Sequence, residues 1–195
     1  LIILLLFSML GANSFVSESS NASVSVIDWD HELQEIDGFG GSFAFHKAGS
    51  IMRLDEPVRS KILDLLFTQE KGIGLSIVRN VVGDGGIDEW GDPQYDGPAE
   101  TIMPNPDEYV WNNPDWNKEE FDKYQIWMMN EAKKRGVDTF LSTVWSPPAW
   151  MKQNNSVLDN GEGPNKLRED MYQEYAEYLA SYVEGYKEHY DIDIT

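Results

Sequence analysis

The first half of the chain carries a nearly continuous apolar run, Gly74-Leu75-Ser76-Ile77-Val78-Arg79-Asn80-Val81-Val82, whose polar members are Ser76, Arg79 and Asn80. Strands with one face in water alternate polar and apolar residues, whereas strands covered on both faces are apolar almost throughout. Helices cover both faces mainly in parallel sheets. The run therefore predicts a buried strand in a parallel sheet.

A glycine-rich segment and a helix precede this run. Ile36-Asp37-Gly38-Phe39-Gly40-Gly41-Ser42 is apolar and then rich in glycine, as at a strand end where the backbone passes close to a neighbour. Asp55-Glu56-Pro57 has the acid and proline that favour the first turn of a helix. The apolar stripe of that helix would consist of Val58, Ile62, Leu65 and Leu66.

A second helix and another strand follow the run. Asn117 and Glu120 are spaced as an N-terminal cap pair, and Gly136 would end the helix. Its apolar face would consist of Phe121, Tyr124, Met128 and Ala132. Residues 137–146 then predict a strand, which ends at Pro147-Pro148 because proline has no N–H to donate.

The last third of the chain predicts a long helix and the start of a further strand. The helix runs from about Leu167 to Tyr190, and we expect its regular stripe to pack in the core. The stripe consists of Met171, Tyr175, Tyr178, Leu179, Tyr182 and Tyr186. The further strand begins within residues 192–195.

This alternation of strands and helices predicts an α/β fold with a parallel sheet. Periodicity alone leaves open whether the sheet is doubly wound or closed into a barrel. The long loops, above all residues 83–115, follow strands, and the strand ends carry Arg, Trp and Asp residues, as in barrel enzymes. A (β/α)8 TIM barrel needs about 250 residues. We therefore expect only about its first half here.

Charge and composition exclude several classes of partner and site. Acidic residues outnumber basic ones, 34 against 15, and the net charge of −19 disfavours nucleic acid as a partner. The sequence contains no cysteine, which excludes disulfides, thiolate metal sites and cysteine nucleophiles. His31, His46 and His189 match no metal-binding spacing. We expect neither a metal nor a cofactor.

The N-terminus has the pattern of an export signal. Residues 1–10 are almost entirely apolar, and small and polar residues follow through Ser20. Such a run is too short to span a bilayer but matches the apolar core of a signal peptide. It lacks a basic segment and an initiator methionine, so we expect residues 1–20 to be a partial signal peptide and leader. The protein would be secreted, without stable membrane insertion; a buried N-terminal helix is the alternative.

Arg79 is the first candidate for a functional residue. A guanidinium within an apolar strand must be paired, which predicts carboxylates or a polar pocket at that end of the sheet. Asp84 and Asp88 follow on the next loop, and a functional cluster is favoured over a structural ion pair. Asp84 also fits a turn or a calcium-binding loop.

The segment Trp145-Ser146-Pro147-Pro148-Ala149-Trp150-Met151-Lys152 indicates a carbohydrate ligand. It places an indole ring at a strand end, in a loop that two prolines stiffen. Sugar rings stack their C–H faces on flat aromatic rings, and their hydroxyl groups need fixed polar partners. Trp145 is therefore a candidate for substrate binding, as is Trp150, although either could instead pack in the core. No pair of carboxylates is singled out by spacing.

Three motifs in this order resemble glycoside hydrolase family 30, namely Ile36–Ser42, Ser76-Ile77-Val78-Arg79 and Trp145–Lys152. That family includes glucosylceramidases, β-1,6-glucanases, β-1,6-galactanases and xylanases. The resemblance covers about residues 24–195. It implies a (β/α)8 barrel with a side β-domain, to which a strand within residues 22–35 would belong. Residues 36–195 would then be the N-terminal half of the barrel, truncated in its fourth strand.

The resemblance also implies a retaining mechanism with two catalytic glutamates. Both would lie beyond Thr195, so no residue of this chain is assigned as catalytic, and the chain alone should be inactive. Arg79, Trp145 and Asp84 would bind the sugar that is cleaved, and Trp150 joins them from its position in the aromatic segment.

The expected activity is that of a secreted retaining β-glycoside hydrolase, an O-glycosyl hydrolase of polysaccharides of the β-1,6-glucan, galactan or xylan type. Long polar loops favour such a polymer because they are typical of an open cleft. The alternatives are a glucosylceramidase-type activity on a glycolipid, a non-catalytic carbohydrate-binding barrel, and an unrelated exported α/β binding protein. The sequence does not indicate an oligomeric state.

Overall fold

A parallel sheet organises the part of the chain that the computed structural model describes, which is residues 25–44, 47–86 and 100–195. Its strands are β1 (Gly40–Ser42), β2 (Ile77–Val82) and β3 (Thr139–Val144), hydrogen-bonded in that order. Both pairings are parallel and in register, so that Arg79 lies opposite Ser42 on one side and Leu141 on the other. The two central strand predictions are confirmed.

Helices connect and follow these strands. The helices are α1 (Lys47–Met52), α2 (Val58–Phe67), α3 (Lys123–Lys133) and α4 (Tyr172–Tyr190), with short 3-10 turns at Val110–Asn112, Ala149–Met151 and Glu169–Met171. Helix α2 lies between β1 and β2, and α3 lies between β2 and β3, which is the repeated strand–helix–strand unit of a parallel sheet. No helix of the described part is long and apolar enough to cross a bilayer.

The core lies between one face of the sheet and the helices. Along β2, alternate residues Val78, Asn80 and Val82 are buried, whereas Ile77, Arg79 and Val81 are only half-buried. The helices meet the buried face with a single cluster of large side chains. It includes Leu63 and Phe67 of α2, Met128, Met129 and Ala132 of α3, and Tyr178, Tyr182 and Tyr186 of α4.

This pattern corrects the expectation that β2 is covered equally on both faces. Within the described residues, the face that carries Arg79 is the more open one. On β3 the same face includes Leu141, which is 38% exposed. We refer to it as the open face of the sheet.

Two helix predictions were partly wrong. In α2 the fully buried positions are Leu63 and Phe67, whereas Val58 and Leu65 of the predicted stripe are exposed, 53% and 45% respectively. No member of the predicted stripe is fully buried. Ile62 and Leu66 are half-buried, and of these two Leu66 packs against the core.

Helix α3 begins later than the cap pair predicted. The side chain of Asn117 accepts a hydrogen bond from the backbone N–H of Glu119, and residues 118–122 form turns rather than a helix. Asp122 has a left-handed backbone, φ 41°, and the helix starts at Lys123. The predicted end is correct, since Gly136 follows the helix with a φ of 94°.

The predicted strand start near the last residue is present as one parallel bridge. Ile194 pairs with Phe140 of β3, and the backbone N–H of Thr195 donates to the carbonyl oxygen of Phe140 at 2.8 Å. The chain therefore returns to the sheet beside β3, which extends the order β1-β2-β3 in the direction expected of a barrel.

Contacts between residues divide the chain into two units, Leu1–Ile36 and Asp37–Thr195. All strands and helices named above belong to the second unit. In the first, residues 25–36 form neither helix nor strand, and their large apolar side chains are exposed, Trp29 and Leu33 by more than 80%. The leader over residues 1–20 lies outside the described residues. The side β-domain stays a prediction.

Gly185 of α4 provides a test of this core. Its position is pressed against Trp111, because a methyl group at Gly185 would lie 2.5–2.8 Å from three carbons of the indole ring. Glycine to alanine in a helix ordinarily gains about 1 kcal/mol. We expect Gly185→Ala instead to lower the free energy of unfolding by about 1–3 kcal/mol through this overpacking.

The measurement is urea unfolding of the protein that carries this chain. Glu184→Ala, at the exposed position next to Gly185, is the matched control and should change stability by less than about 0.5 kcal/mol. A stabilising Gly185→Ala substitution would mean that Trp111 does not pack on this helix.

Candidate functional site

Four side chains meet on the open face of the sheet, towards the carboxyl ends of the strands. Ser42 ends β1, Arg79 lies on β2, and Thr143 and Trp145 lie at the end of β3 and just after it. Residues two apart on a strand share a face, as do direct neighbours on adjacent strands. We call these four residues the Arg79 cluster. The carboxyl ends of parallel strands are where barrel proteins place their active sites.

Hydroxyl groups and an aromatic ring surround the Arg79 guanidinium. Its Nε donates to the Thr143 Oγ1 at 2.7 Å, and its Nη1 lies 3.5 Å from the Ser42 Oγ. Its central carbon lies 5.7 Å from the centroid of the Trp145 ring, a cation–π distance. The sequence allowed carboxylates or neutral polar groups beside Arg79, and the described residues provide neutral hydroxyl groups. No carboxylate of the described residues forms an ion pair with Arg79.

Trp145 combines an ordered position with an open surface. It follows the last residue of β3, and its side chain is 49% exposed although it contacts the Arg79 guanidinium. A half-exposed indole beside fixed N–H donors is suited to stacking on a sugar ring while the donors bind its hydroxyl groups.

Asp84 occupies a turn after β2. The side chain is 7% exposed, and its Oδ1 accepts a hydrogen bond from the backbone N–H of Gly86 at 2.9 Å. Nearby, the Tyr178 hydroxyl group donates to the carbonyl oxygen of Gly83. The turn that the sequence allowed for Asp84 is therefore present, and its role in substrate binding stays a prediction. Asp88 lies outside the described residues.

Trp150 is tied to the protein interior. Its indole Nε1 donates to the carbonyl oxygen of Met103 at 3.1 Å, and its own carbonyl oxygen accepts from Arg168 at 3.1 Å. Its half-buried ring packs against the core. These contacts favour the packing alternative for Trp150, because its one polar side-chain atom already has a partner.

A buried lysine fixes the loop after Trp145. Lys152 is 4% exposed, and its Nζ donates to the Ser146 Oγ at 3.0 Å and to the carbonyl oxygen of Val157 at 2.9 Å. The loop is thereby held at both ends, which limits the positions open to the Trp145 ring. The sequence placed Lys152 in the motif without indicating this role.

The carboxyl group of Asp122 is buried and has a strongly raised pKa, a property that is common in active sites. Burial raises the pKa of Asp122 to about 7, an effect that hydrogen bonds from Tyr186 and Gln125 oppose. The Tyr186 hydroxyl donates to its Oδ2, and the Gln125 Nε2 donates to both carboxylate oxygens. Because α3 and α4 enclose this group on the helix side of the sheet, we assign it to the core rather than to catalysis.

The described residues contain no group of three or more His, Asp or Glu side chains placed to hold a metal ion. The side chains of the Arg79 cluster themselves offer hydrogen bonding, cation–π contact and stacking. Such a site can bind and orient a neutral polyhydroxylated ligand. The cluster itself contains no carboxylate that could serve as acid, base or nucleophile.

The chain has an α/β fold whose small parallel sheet fits part of a TIM barrel, and the Arg79 cluster lies towards the carboxyl ends of its strands. Residues 22–193 match O-glycosyl hydrolase family 30. The chain belongs to this family, which confirms the resemblance seen in the sequence motifs.

Similar proteins of known sequence are galactocerebrosidases. The chain is 30% identical to that of Danio rerio over 174 residues and 30% identical to that of Homo sapiens over 172 residues. Each match covers 83% of this chain but only 21% of the galactocerebrosidase. The chain thus spans about a fifth of the length of these relatives.

Solved structures show the same fold. An exported protein of Bacteroides fragilis has a TM-score of 0.67 and 25% identity, over 87% of this chain and 35% of its own. The catalytic domain of a family 30 xylanase from Talaromyces cellulolyticus has a TM-score of 0.59 and 29% identity, over 83% and 35% respectively. An endo-β1,6-glucanase with 22% identity and a TM-score of 0.61 shares the fold.

Proposed function

We propose that the protein carrying this chain is a secreted retaining β-glycoside hydrolase, in which this chain supplies part of the sugar-binding site. The observation that carries the proposal is the contact between Arg79 and Trp145 at the carboxyl ends of adjacent parallel strands. In a family 30 protein, these two residues offer the donors and the aromatic surface that a sugar ring requires.

The two catalytic glutamates are proposed to lie beyond Thr195. A retaining glycosidase needs two carboxyl groups about 5–5.5 Å apart on either side of the scissile bond. The Arg79 cluster has none, and the carboxyl group with a strongly raised pKa, Asp122, lies among the helices. The return of Ile194 to the sheet beside β3 supports a fourth strand whose carboxyl end adjoins the cluster.

For the substrate we propose a polysaccharide, and a galactan is the first polymer to test. The polymer expectation comes from the long loops after the strands, and galactan is the polymer that shares its sugar with the galactocerebrosidase relatives. Those relatives also favour a second candidate, a galactosyl lipid. A non-catalytic carbohydrate-binding protein remains an outcome of the tests.

The deciding experiment uses the open reading frame that contains this chain. We expect it to encode a glutamate directly after an asparagine shortly beyond Thr195, and a second strand-end glutamate further on. The purified product should hydrolyse a galactan or a galactosyl lipid, and proton NMR should show that the anomeric configuration is retained. An inverted anomer would contradict the mechanism. Binding of glycans without hydrolysis, with either glutamate replaced, would favour the binding protein.

The chain of residues 1–195 alone is the matched control. It holds the Arg79 cluster but neither proposed glutamate, so we expect no glycoside hydrolysis from it. Turnover by this chain would show that its own carboxylates perform the chemistry and would overturn our placement of the catalytic pair.

A further inference from the structure

We propose that Thr143 is a positioning residue of this site, whose hydroxyl group orients the Arg79 guanidinium over the Trp145 ring. The inference rests on the proposed function for its catalytic consequence. The positioning of the Arg79 guanidinium by the Thr143 hydroxyl group is argued from contacts within this chain alone.

The contact between Thr143 and Arg79 is short and joins distant parts of the sequence. The Arg79 Nε and the Thr143 Oγ1 are 2.7 Å apart, although 64 residues separate them. A bond to Nε constrains the whole planar guanidinium, because the delocalised group does not rotate internally. Threonine is branched at Cβ and has few side-chain rotamers on a strand, so its oxygen points in a fixed direction.

A neutral acceptor at this position preserves the charge of Arg79. A carboxylate would hold the guanidinium as firmly but would pair with its charge, whereas the neutral hydroxyl group accepts a hydrogen bond without adding an opposite charge. The guanidinium also lies near the Ser42 hydroxyl, at 3.5 Å from Nη1, and over the Trp145 ring. The remaining N–H donors of the guanidinium are therefore suited to bind ligand oxygens.

Thr143 and Trp145 are two residues apart at the end of β3 and thus share a face of the sheet. The same strand end supplies both the hydrogen-bond acceptor and the ring between which Arg79 is held. This arrangement fixes the distance between the cation and the stacking surface before any sugar arrives. Preorganisation of this kind lowers the cost of binding and of reaching the transition state.

The test compares Thr143→Val, which keeps the shape but removes the hydroxyl group, with Thr143→Ser, which keeps the hydroxyl group. In the full protein acting on its glycoside substrate, we expect Thr143→Val to lower kcat/KM roughly 10-fold, the effect of one hydrogen bond to a charged group. Thr143→Ser should restore it to within about 3-fold of the wild type. Thr139→Val is the matched control and should stay within about 2-fold, since Thr139 lies on the same strand and its hydroxyl group donates to the neighbouring Asp138 rather than to Arg79.

A second measurement does not depend on catalysis. Protein labelled with ¹⁵N-arginine should give a slowly exchanging Nε–H signal for Arg79, assigned through its loss in Arg79→Lys. We expect fast solvent exchange of this signal in Thr143→Val and slow exchange in Thr143→Ser and Thr139→Val.

The two readouts separate the possible failures. If Thr143→Val retains both kcat/KM and slow Nε–H exchange, Thr143 does not position Arg79 and the inference is wrong. If the wild-type protein hydrolyses no glycoside, the proposed function fails, while the exchange of the Arg79 signal still decides the positioning role. Unchanged exchange in Thr143→Val with reduced activity would likewise overturn the mechanism.

Discussion

Replacement of Trp145 by alanine in the full protein is expected to lower kcat/KM on its glycoside substrate roughly 100-fold, equivalent to about 3 kcal/mol. The substitution removes the half-exposed ring on which the sugar would stack and also the partner of the Arg79 guanidinium. Buried or stacked tryptophans commonly contribute at least about 2 kcal/mol to recognition. Arg79→Ala should have an effect of similar size, because hydrogen bonds from a charged donor are worth about 1.5–3 kcal/mol.

Steady-state kinetics on the same substrate check this prediction. Trp116→Phe is the control, since Trp116 packs among aromatic residues beside α4 and its buried Nε1 has no hydrogen-bond partner among the described residues. It should leave kcat/KM within about 2-fold. The double variant of Arg79 and Trp145 should lose less than the two single losses combined, because the residues are in contact. Full activity of Trp145→Ala would remove the main support for a sugar site at this strand end.

The free energy of unfolding of the wild type is expected to fall as the pH rises from about 5 to about 8. This fall should be roughly 2–3 kcal/mol larger than the fall in Asp122→Asn. Burial raises the pKa of Asp122 to about 7, above its ordinary value of 3.8. At a pH between these two values, Asp122 is protonated in the folded protein but not in the unfolded chain. The protonated carboxyl group therefore gives its full stabilisation below the pKa of Asp122 in the unfolded chain. This stabilisation is lost as the pH rises through the pKa of Asp122 in the folded protein.

Urea unfolding of the protein at the two pH values provides the measurement. Comparison with Asp122→Asn cancels the titration of the other carboxylates, such as Asp64, whose pKa hydrogen bonds from Lys71 and Arg135 hold below its usual range. Tyr186→Phe should shift the loss of stability to higher pH. The Tyr186 hydrogen bond favours the charged carboxylate, so its removal raises the pKa of Asp122 further. An identical pH dependence in wild type and Asp122→Asn would show that Asp122 does not titrate in this range.

The sequence predicted the strands well because their signal is local. The apolar run that ends at Val82 and the segment that stops at Pro147-Pro148 each contain their own boundary, and both strands form as expected. The buried faces of the helices were predicted less well, because the buried face of α2 is decided by the side of the helix that packs on the sheet. Leu63 and Phe67 point to the core there, and no local pattern distinguishes them from their equally apolar neighbours.

For the site, Arg79 and Trp145 were identified separately and lie in contact in the structure. Thr143 was missed, although its position two residues before Trp145 on one strand face was a usable signal. No sequence pattern indicates the hydrogen bond from Tyr186 to Asp122, which lies 64 residues away in the sequence. Side-chain pairs across this separation become neighbours only after the helices have packed.

The Gln125 side chain completes the hydrogen bonding of the central strand β2. Strand β1 stops at Ser42, and past that point the N–H and C=O groups of Val81 bond to the Gln125 side chain, at 2.9 and 3.1 Å. A side-chain amide has the same donor and acceptor as a peptide group, so Gln125 imitates one residue of a missing neighbour strand. A backbone N–H or C=O group that is buried without a partner costs free energy. The glutamine therefore satisfies two backbone groups of the central strand that β1 does not reach.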